Sequence, residues 1–362
     1  MNILFIAPLP PPINGQSIAA KFLFDKLSND LSLDINLVNI AKESHSDGLT
    51  SFSRIIDIIR HLKQIAYYKN SADIIYLHIS ESLFGNLRDL IIYFICRKKL
   101  NKLIIHLHGG SFGLQILERN LFLKKINLFY LKKVKGVIVL GPTLKSIFSG
   151  YLPHKTLHII PNFYSNELLI SKEAFLQKIS SLKKIKFLFM SNMIPKKGYL
   201  KLLDAVSHLD KNLLDYIQID FAGRFDSDFE RKFFLDRINN IKSVNYHGVA
   251  TGNLKQKLFS EANVFILPTS YNEGQPISIL EAYASGCAVV TTLNGGIPDI
   301  FNPDVNGIGL VNDDPQTIAD SILFCVQNFE KIKIMSENNL SYALTSFSSK
   351  SHLNQLIRVL LN

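Results

Sequence analysis

Several features are scarce in this sequence, and each shortage narrows what it can be. There are three cysteines, Cys96, Cys287 and Cys325, in 362 residues. They are scattered and odd in number, so they form neither a disulfide framework nor a metal-ligand spacing, and they suit a reducing compartment. No apolar run approaches the roughly 20 residues needed to span a bilayer; the densest, Leu90 to Cys96, stops far short. The opening Asn2-Ile3-Leu4-Phe5-Ile6-Ala7 has no charged lead-in and no cleavage pattern, so it reads as a strand and not as a secretory signal. The dinucleotide spacing G-x-G-x-x-G is absent. So are low-complexity tracts and short-period repeats. Charged residues make up 19% against 47% hydrophobic, which excludes a disordered chain.

What is present points to two domains, because 362 residues exceed the size at which single cores stop growing. Charge is unevenly shared between them. Residues 1–162 hold 20 Lys/Arg and 10 Asp/Glu, while residues 163–362 hold 20 of each, so the whole excess of +10 lies in the first half. That half therefore expects an anionic partner: a membrane surface, a phosphorylated substrate or nucleic acid. The stacking aromatics and motifs of nucleic-acid binders are not evident, so nucleic acid is not expected.

Short apolar strands alternate with helical stretches along the first half. Strands are expected at Asn2–Ala7, Asp34–Ile40, Ile74–Ile79, Leu103–Leu107, Gly136–Leu140 and Leu157–Ile160, the spacing of an α/β parallel sheet. Asn14-Gly15 follows the first strand and His106-Leu107-His108-Gly109-Gly110 ends the fourth. Both lie at strand carboxyl ends, where open α/β sheets bind ligands; Asn14-Gly15 is equally readable as a plain turn. The two histidines lack a carboxylate or cysteine companion, so no metal is expected there. Three helices are both apolar and basic: Ser53–Lys69 with Arg54, Leu83–Lys99, and Leu114–Lys135. The third suits an anionic membrane surface, or an ordinary amphipathic helix with its lysines in water.

A second α/β cycle starts at Ile185–Met190. It runs into Ser191-Asn192-Met193-Ile194-Pro195-Lys196-Lys197-Gly198, and a later strand ends in Ala222-Gly223-Arg224. The chain then reaches Asn272-Glu273-Gly274-Gln275-Pro276-Ile277-Ser278-Ile279-Leu280-Glu281. Pro276 suits the first helical position, Ile277, Leu280 and Ala284 fall on one helical face, and Gly286 is placed to end the helix. A loop carboxylate, a glycine and free N–H groups at a helix start suit a phosphorylated, hydroxyl-rich ligand. Asp226-Ser227-Asp228 sits in a charged loop and reads as solvated, not as a metal site.

These pieces together resemble the retaining nucleotide-sugar glycosyltransferases of family 4. Ser191–Gly198, Ala222-Gly223, Glu273-x7-Glu281 and Asn294-Gly295-Gly296-Ile297-Pro298-Asp299 stand in the family's order and spacing. The Gly15 loop and His108-Gly109 match weaker N-terminal features. His106–Phe112, with the Ser-Asn start of the second domain, looks like bacterial enzymes that build O-antigen or capsular polysaccharide.

The resemblance implies an α/β, GT-B fold: two Rossmann-like domains facing each other across a cleft. It implies an acceptor-binding domain over 1–162, a nucleotide-sugar-binding domain over 163–338, and a C-terminal helix over 339–362 crossing back to the first domain. The implied activity is that of a hexosyl- or N-acetylhexosaminyl-transferase. Its donor would be a nucleotide sugar, UDP-linked in preference to GDP-linked, and its acceptor a lipid-linked saccharide on the cytoplasmic face of an anionic membrane. Glu273 would hold donor-sugar hydroxyls and Glu281 the ribose. Gly274, Gln275, Pro276 and Ile277 would bring backbone to the diphosphate, Lys197 would neutralise it as it leaves, and Gly15 would sit near it. His108 would face the donor sugar and the acceptor hydroxyl. No metal or other cofactor is implied. Asn192 stands where the family usually has arginine, and Arg224 is the candidate replacement cation. The alternatives are a nucleotide-sugar epimerase on the same fold and a sugar-nucleotide-binding scaffold with a degenerate site.

Overall fold

A computed structural model describes residues 1–41, 51–180 and 184–361, and for residues 51–54 the backbone only. The side chain of Arg54 therefore lies outside the described residues. From the N-terminus the chain forms β1 (Asn2–Ala7), α1 (Gly15–Ser28), β2 (Asp34–Asn39), α2 (Ser51–Tyr68), β3 (Ile74–His78), α3 (Leu83–Ile95), β4 (Leu103–Leu107), α4 (Leu121–Leu131), β5 (Gly136–Val139), α5 (Pro142–Ser149) and β6 (Leu157–Ile159). The six strands pair in parallel in the order β2-β1-β3-β4-β5-β6.

Parallel strands need cover on both faces, which is why β3, β4 and β5 are buried at every position. Their alternating side chains build two cores. Leu4, Ile6, Leu77 and Ile105 pack with Ile65 of α2, Tyr93 of α3 and Leu131 of α4 on one face. Ile3, Phe5, Tyr76 and Ile104 pack with Leu23 and Leu27 of α1 on the other.

The second run is α6 (Lys172–Ser180), β7 (Ile185–Met190), α7 (Tyr199–Val206), β8 (Ile217–Ala222), α8 (Asp228–Ile238), β9 (Val244–Tyr246), α9 (Gly252–Glu261), β10 (Val264–Leu267), α10 (Ile277–Ala284), β11 (Ala288–Thr292), β12 (Gly307–Leu310), α11 (Pro315–Gln327), α12 (Phe329–Ser346) and α13 (Ser349–Leu361). Its strands form a second parallel sheet in the order β12-β11-β10-β7-β8-β9. The α/β class with two sheets is as the sequence implies. The chain divides into two units. One holds Met1–Pro161, Glu273–Gln275 and Leu353–Asn362; the other holds Asn162–Asn272 and Pro276–His352. Among the described residues no helix is long and apolar enough to cross a membrane, and the three cysteines are buried and unpaired with one another.

Three expectations of local structure change. The helix expected over 114–135 is broken. A π-helical turn covers Gly113–Leu117, and α4 starts afresh because the Asn120 side chain accepts from the N–H groups of Phe122 and Leu123 at 2.7 and 3.3 Å.

Asn14-Gly15 is neither a plain turn nor a free loop. Asn14 caps α1 in a reciprocal pair with Ser17, accepting from the Ser17 N–H at 2.9 Å while the Ser17 hydroxyl accepts from the Asn14 N–H at 3.0 Å.

The C-terminal segment expected as one helix from 339 is two. Asn339 lies inside α12, fully buried, donating to the carbonyls of Cys287 and Asn306 at 2.8 Å each and accepting from Asn306 Nδ2 at 2.7 Å. Helix α12 is thereby fixed to the second sheet. The chain then breaks at Phe347, and the Ser348 hydroxyl accepts the Ser351 N–H at 3.2 Å at the start of α13. Leu356 and Leu360 of α13 join the core formed with Phe5 and Tyr76 of the first sheet.

Candidate functional site

Strand order alone singles out two places. In each sheet the order reverses at one point, between β1 and β3 in the first and between β7 and β10 in the second. The carboxyl ends of strands at such a reversal diverge and leave a crevice for a ligand.

In the second unit the loops after β7 and β10 meet at that reversal. The Lys196 carbonyl accepts from the N–H groups of Ser270 and Tyr271 at 2.8 and 3.1 Å and from the Thr269 hydroxyl at 3.2 Å. The 3-10 turn Pro195–Lys197 is therefore held to the loop that leads towards α10. The Lys197 ammonium lies 4.8 Å from the centre of the Tyr271 ring, a cation on an aromatic face.

Asn192 and Arg224 sit at the ends of neighbouring strands, and the N–H of Met193 donates to the Arg224 carbonyl at 2.8 Å. Arg224 lines a cavity of about 620 Å³ with Asp226, Arg231, Tyr246 and His247. Beside it His247 Nε2 contacts Asp220 Oδ1 at 2.7 Å. Ser227, between the exposed Asp226 and Asp228, caps α8 by accepting the Glu230 N–H at 3.2 Å.

Helix α10 is more deeply set than one apolar face requires: every residue except Ser278 is buried. Pro276 is its N-cap in extended conformation, one position earlier than the sequence suggests, and Gly286 at φ +64° closes the helix end. The Glu281 carboxylate lies inside, 4% exposed, and Lys255 Nζ donates to its Oε1 at 2.6 Å. Burial holds the Glu281 carboxyl above its usual range, while the Lys255 charge and hydrogen bond pull it back down.

In the first unit a second cluster forms at the carboxyl ends of β3 and β4. His78 and His106 are direct register partners on these strands, and His108 follows two residues beyond His106. The Tyr76 hydroxyl lies 2.8 Å from His78 Nε2 and 2.6 Å from His106 Nδ1, and His78 Nε2 lies 3.3 Å from His108 Nε2. All four residues are buried. Burial drives the His78 imidazolium down to about 3, so the ring is neutral at any physiological pH.

The ligand atoms of the three histidines lie within 4.8 Å of one another, a spacing compatible with a metal ion. The Tyr76 hydroxyl is within hydrogen-bond distance of two of the three imidazoles.

The His108–Phe112 loop is clamped from below and packed from above. Glu81 Oε1 accepts from the N–H groups of Ser111 and Phe112, at 2.5 and 3.0 Å. Burial pushes the Glu81 carboxyl up to about 7 against those two donors, and the Glu273 charge nearby adds to the rise. From above, a Cβ on Gly274 would stand 1.8 Å from the His108 carbonyl oxygen, so only glycine allows this approach. Gln275 Nε2 donates to the Leu140 carbonyl at 2.7 Å. Glu273 and Gln275 are buried.

The sequence-derived residues thus fall into two groups. His108, Glu273, Gly274 and Gln275 gather in the first unit; Gly15, in the same unit, is the first residue of α1. Asn192, Lys197, Arg224, Pro276, Ile277 and Glu281 belong to the second. Sequence reasoning missed Tyr76, His78, Glu81 and Lys255. His78 was open to discovery, because it ends a strand at the same sheet edge as His106. Glu81 and Lys255 were not, since their partners lie 26 to 31 residues away in the chain, and Tyr76 also meets His106 30 residues on.

Residues 171–341 match the family described as glycosyl transferases group 1. An uncharacterized glycosyltransferase of Methanocaldococcus jannaschii, MJ1069, is 24% identical over 281 residues, covering 73% of this chain and 69% of that protein. The GalNAc-alpha-(1->4)-GalNAc-alpha-(1->3)-diNAcBac-PP-undecaprenol alpha-1,4-N-acetyl-D-galactosaminyltransferase of Campylobacter jejuni is 25% identical over 206 residues. That match covers 53% of this chain and about half, 51%, of the relative. Among solved structures, Anabaena Alr3699/HepE in complex with UDP and glucose superposes with a TM-score of 0.72 at 16% identity, over 100% of this chain and 99% of that one. At that identity the likeness speaks for the fold alone, which is GT-B.

Proposed function

We propose that this chain, whose residues 171–341 carry the group 1 glycosyl transferase match, is a retaining glycosyltransferase of family 4. It moves a hexosyl or N-acetylhexosaminyl group from a nucleotide sugar, UDP-linked in preference to GDP-linked, to a lipid-linked saccharide during synthesis of a bacterial surface polysaccharide such as O-antigen or capsule. The observation that carries this reading is the loop after β10 at the strand-order reversal of the second sheet, held by the Lys196 carbonyl next to Lys197, with the buried Glu281 on the α10 helix that follows. The UDP bound by the HepE structure supports the donor class. The undecaprenol-linked acceptor in the Campylobacter relative's name supports the acceptor class.

In this reading the reaction needs negative charge to be accommodated on a departing nucleoside diphosphate. Lys197 and the first N–H groups of α10, which have no partner within the helix, supply fixed positive potential for it. Arg224, lining the cavity with Arg231, stands in for the family arginine absent at Asn192. Glu273 binds sugar hydroxyls and Glu281 the ribose, with Lys255 Nζ donating to the Glu281 carboxyl. His108 faces the transferred sugar and the acceptor hydroxyl, and Gly15 opens α1 near the diphosphate. The departing phosphate takes the acceptor proton, so no metal or other cofactor takes part.

The acceptor side supports peripheral attachment to the cytoplasmic face of an anionic membrane. On α3, Phe84, Leu87, Ile91 and Phe94 are 84, 42, 45 and 55% exposed and follow a helical spacing that ends in Arg97-Lys98-Lys99. The neighbouring α4 exposes Phe122 and Phe129, at 70 and 55%. Cations flank these rings: Arg97 lies 4.5 Å from the centre of Phe94, and Lys133 lies 3.6 Å from that of Phe129. An apolar stripe edged by snorkelling cations fits a lipid interface, and the first half carries the chain's whole positive excess.

The test is a screen of UDP- and GDP-sugars with membrane acceptor, reading released nucleoside diphosphate and labelled lipid product. One donor is expected to give product, and Glu273→Ala to lower the rate at least about 100-fold. No product with any donor overturns the proposal, and conversion of the donor without acceptor assigns the chain to the epimerases.

A further inference from the structure

Glu81 has no part in the proposed reaction, yet its carboxyl group underlies the loop that carries His108. Oε1 accepts from the N–H groups of Ser111 and Phe112 at 2.5 and 3.0 Å. Oε2 lies against Gly109, where a Cβ would stand 1.8 Å from it. The same peptide run receives Gly274, whose Cβ would stand 1.8 Å from the His108 carbonyl oxygen and 3.2 Å from the Gly109 Cα. Glu81 and Gly274 thus both bear on residues 108–109, and Glu273 is the chain neighbour of Gly274.

Glu81 is itself held on both flanks. The Ser80 N–H donates to Asp89 Oδ2 at 2.7 Å. Asp89 is fully buried, and Arg88 donates to its Oδ1 from Nε and Nη2 at 3.0 and 2.8 Å. On the other flank the Ser82 hydroxyl accepts the Gly85 N–H at 3.2 Å and caps α3. A side chain whose chain neighbours are already fixed loses less freedom when it makes its contacts, so the clamp is preformed. Burial holds the Glu81 carboxyl at about 7, so near neutral pH it passes between neutral and charged forms. Both forms keep lone pairs for the two N–H groups. The loop therefore depends on the reach of this side chain more than on its charge.

We infer that Glu81 is a positioning residue for sugar transfer. By holding the Gly109–Phe112 backbone it sets where His108 stands and, through Gly274, where Glu273 stands beside it. The functional part of the inference rests on the sugar contacts proposed for His108 and Glu273; the clamp itself does not.

Three substitutions in the full chain separate reach from charge. Glu81→Gln keeps an oxygen at the same reach without the charge. Glu81→Asp keeps the carboxylate one methylene short. Glu81→Leu keeps neither. Amide hydrogen exchange, read on peptides that span residues 109–112, is expected to speed up about tenfold or more in Glu81→Asp and Glu81→Leu, the effect of losing a hydrogen bond to a buried acceptor. In Glu81→Gln it stays at the wild-type rate. In steady-state transfer, kcat is expected to fall about 10–100-fold in Glu81→Asp and Glu81→Leu, as small misplacements of reacting groups cause, while Glu81→Gln keeps most of it. The affinity for UDP alone, measured by calorimetry, should stay within about twofold in all three, since the groups lost act on transfer and not on nucleotide binding.

Exchange that is equal in all four proteins overturns the inference, and so does a wild-type kcat in Glu81→Leu. An active Glu81→Asp beside an inactive Glu81→Gln overturns it as well, because that is the pattern of a carboxyl group acting through its charge or its proton. Loss of UDP affinity in step with kcat also overturns it, as the mark of a general loss of fold. If the wild-type protein transfers no sugar from any donor, the proposed function falls, and exchange that follows the reach of the side chain at position 81 still upholds the clamp.

Discussion

Lys255 Nζ donates to Glu281 Oε1 at 2.6 Å, and the carboxylate is 4% exposed. A buried carboxylate paired this closely depends on its partner, because removal of the cation leaves an uncompensated charge inside the protein. Lys255→Ala is expected to destabilise the fold by about 3–5 kcal/mol, the usual effect of breaking a buried pair. Lys255→Arg should lose much less. Urea unfolding of the three proteins at pH 7 measures both, and equal stability of Lys255→Ala and wild type would show that Glu281 is neutral in the folded chain.

Glu81 gives the protein a pH dependence of definite sign. Its ordinary carboxyl value is 4.5, and burial raises it to about 7 in the folded chain. Between these values the folded protein holds a proton that the unfolded chain releases, so stability falls as pH rises through that window. The slope amounts to about 3 kcal/mol across the window. Glu81→Gln, neutral throughout, is expected to flatten the stability profile from pH 4.5 to 7. Unfolding free energies at pH 5, 6 and 7 read this directly, and parallel profiles for the two proteins would refute it.

Gly274 is expected to tolerate no side chain. Its Cβ would stand 1.8 Å from the His108 carbonyl oxygen, and backbone cannot yield as a flexible side chain can. Gly274→Ala should cost about 1–3 kcal/mol, as overpacking does. It should also displace Glu273 and lower transfer far more than that loss of folding explains. Circular dichroism establishes the folded fraction against which the rate is compared; a wild-type rate in a folded Gly274→Ala protein would contradict the assignment of this loop to the donor.

The exposed stripe on α3 is expected to bind anionic vesicles. Wild-type protein should sediment with phosphatidylglycerol vesicles and not with phosphatidylcholine ones, and high salt should weaken the binding. Phe84→Ser with Phe94→Ser should reduce it without altering stability, since both rings are more than half exposed. Binding that is indifferent to these changes would leave the stripe without this role.

Much of the architecture was legible in local pattern. The strand expected at Ile74–Ile79 is β3, Ile74–His78, and that expected at Leu103–Leu107 is β4 with the same limits. Short apolar β-branched runs bounded by polar residues have few other solutions when the sheet is buried on both faces. Helix limits were less legible where one polar side chain decides them. Asn120 starts α4 and Asn339 anchors the middle of α12, and neither looks different in sequence from an asparagine in solvent.

The order of residue types along the chain by itself determined the alternation of strand and helix, the two parallel sheets, and the placing of glycine, lysine and carboxylate at strand ends. All of these depend on near neighbours in the chain. Only the tertiary structure decided what those groups touch. It brought Lys255 to Glu281, seated Glu81 under the loop after His108, and joined His78 to His108 through positions 30 residues apart. Such contacts arise when elements distant in the chain pack side by side, and no local propensity carries the information of which of them will meet.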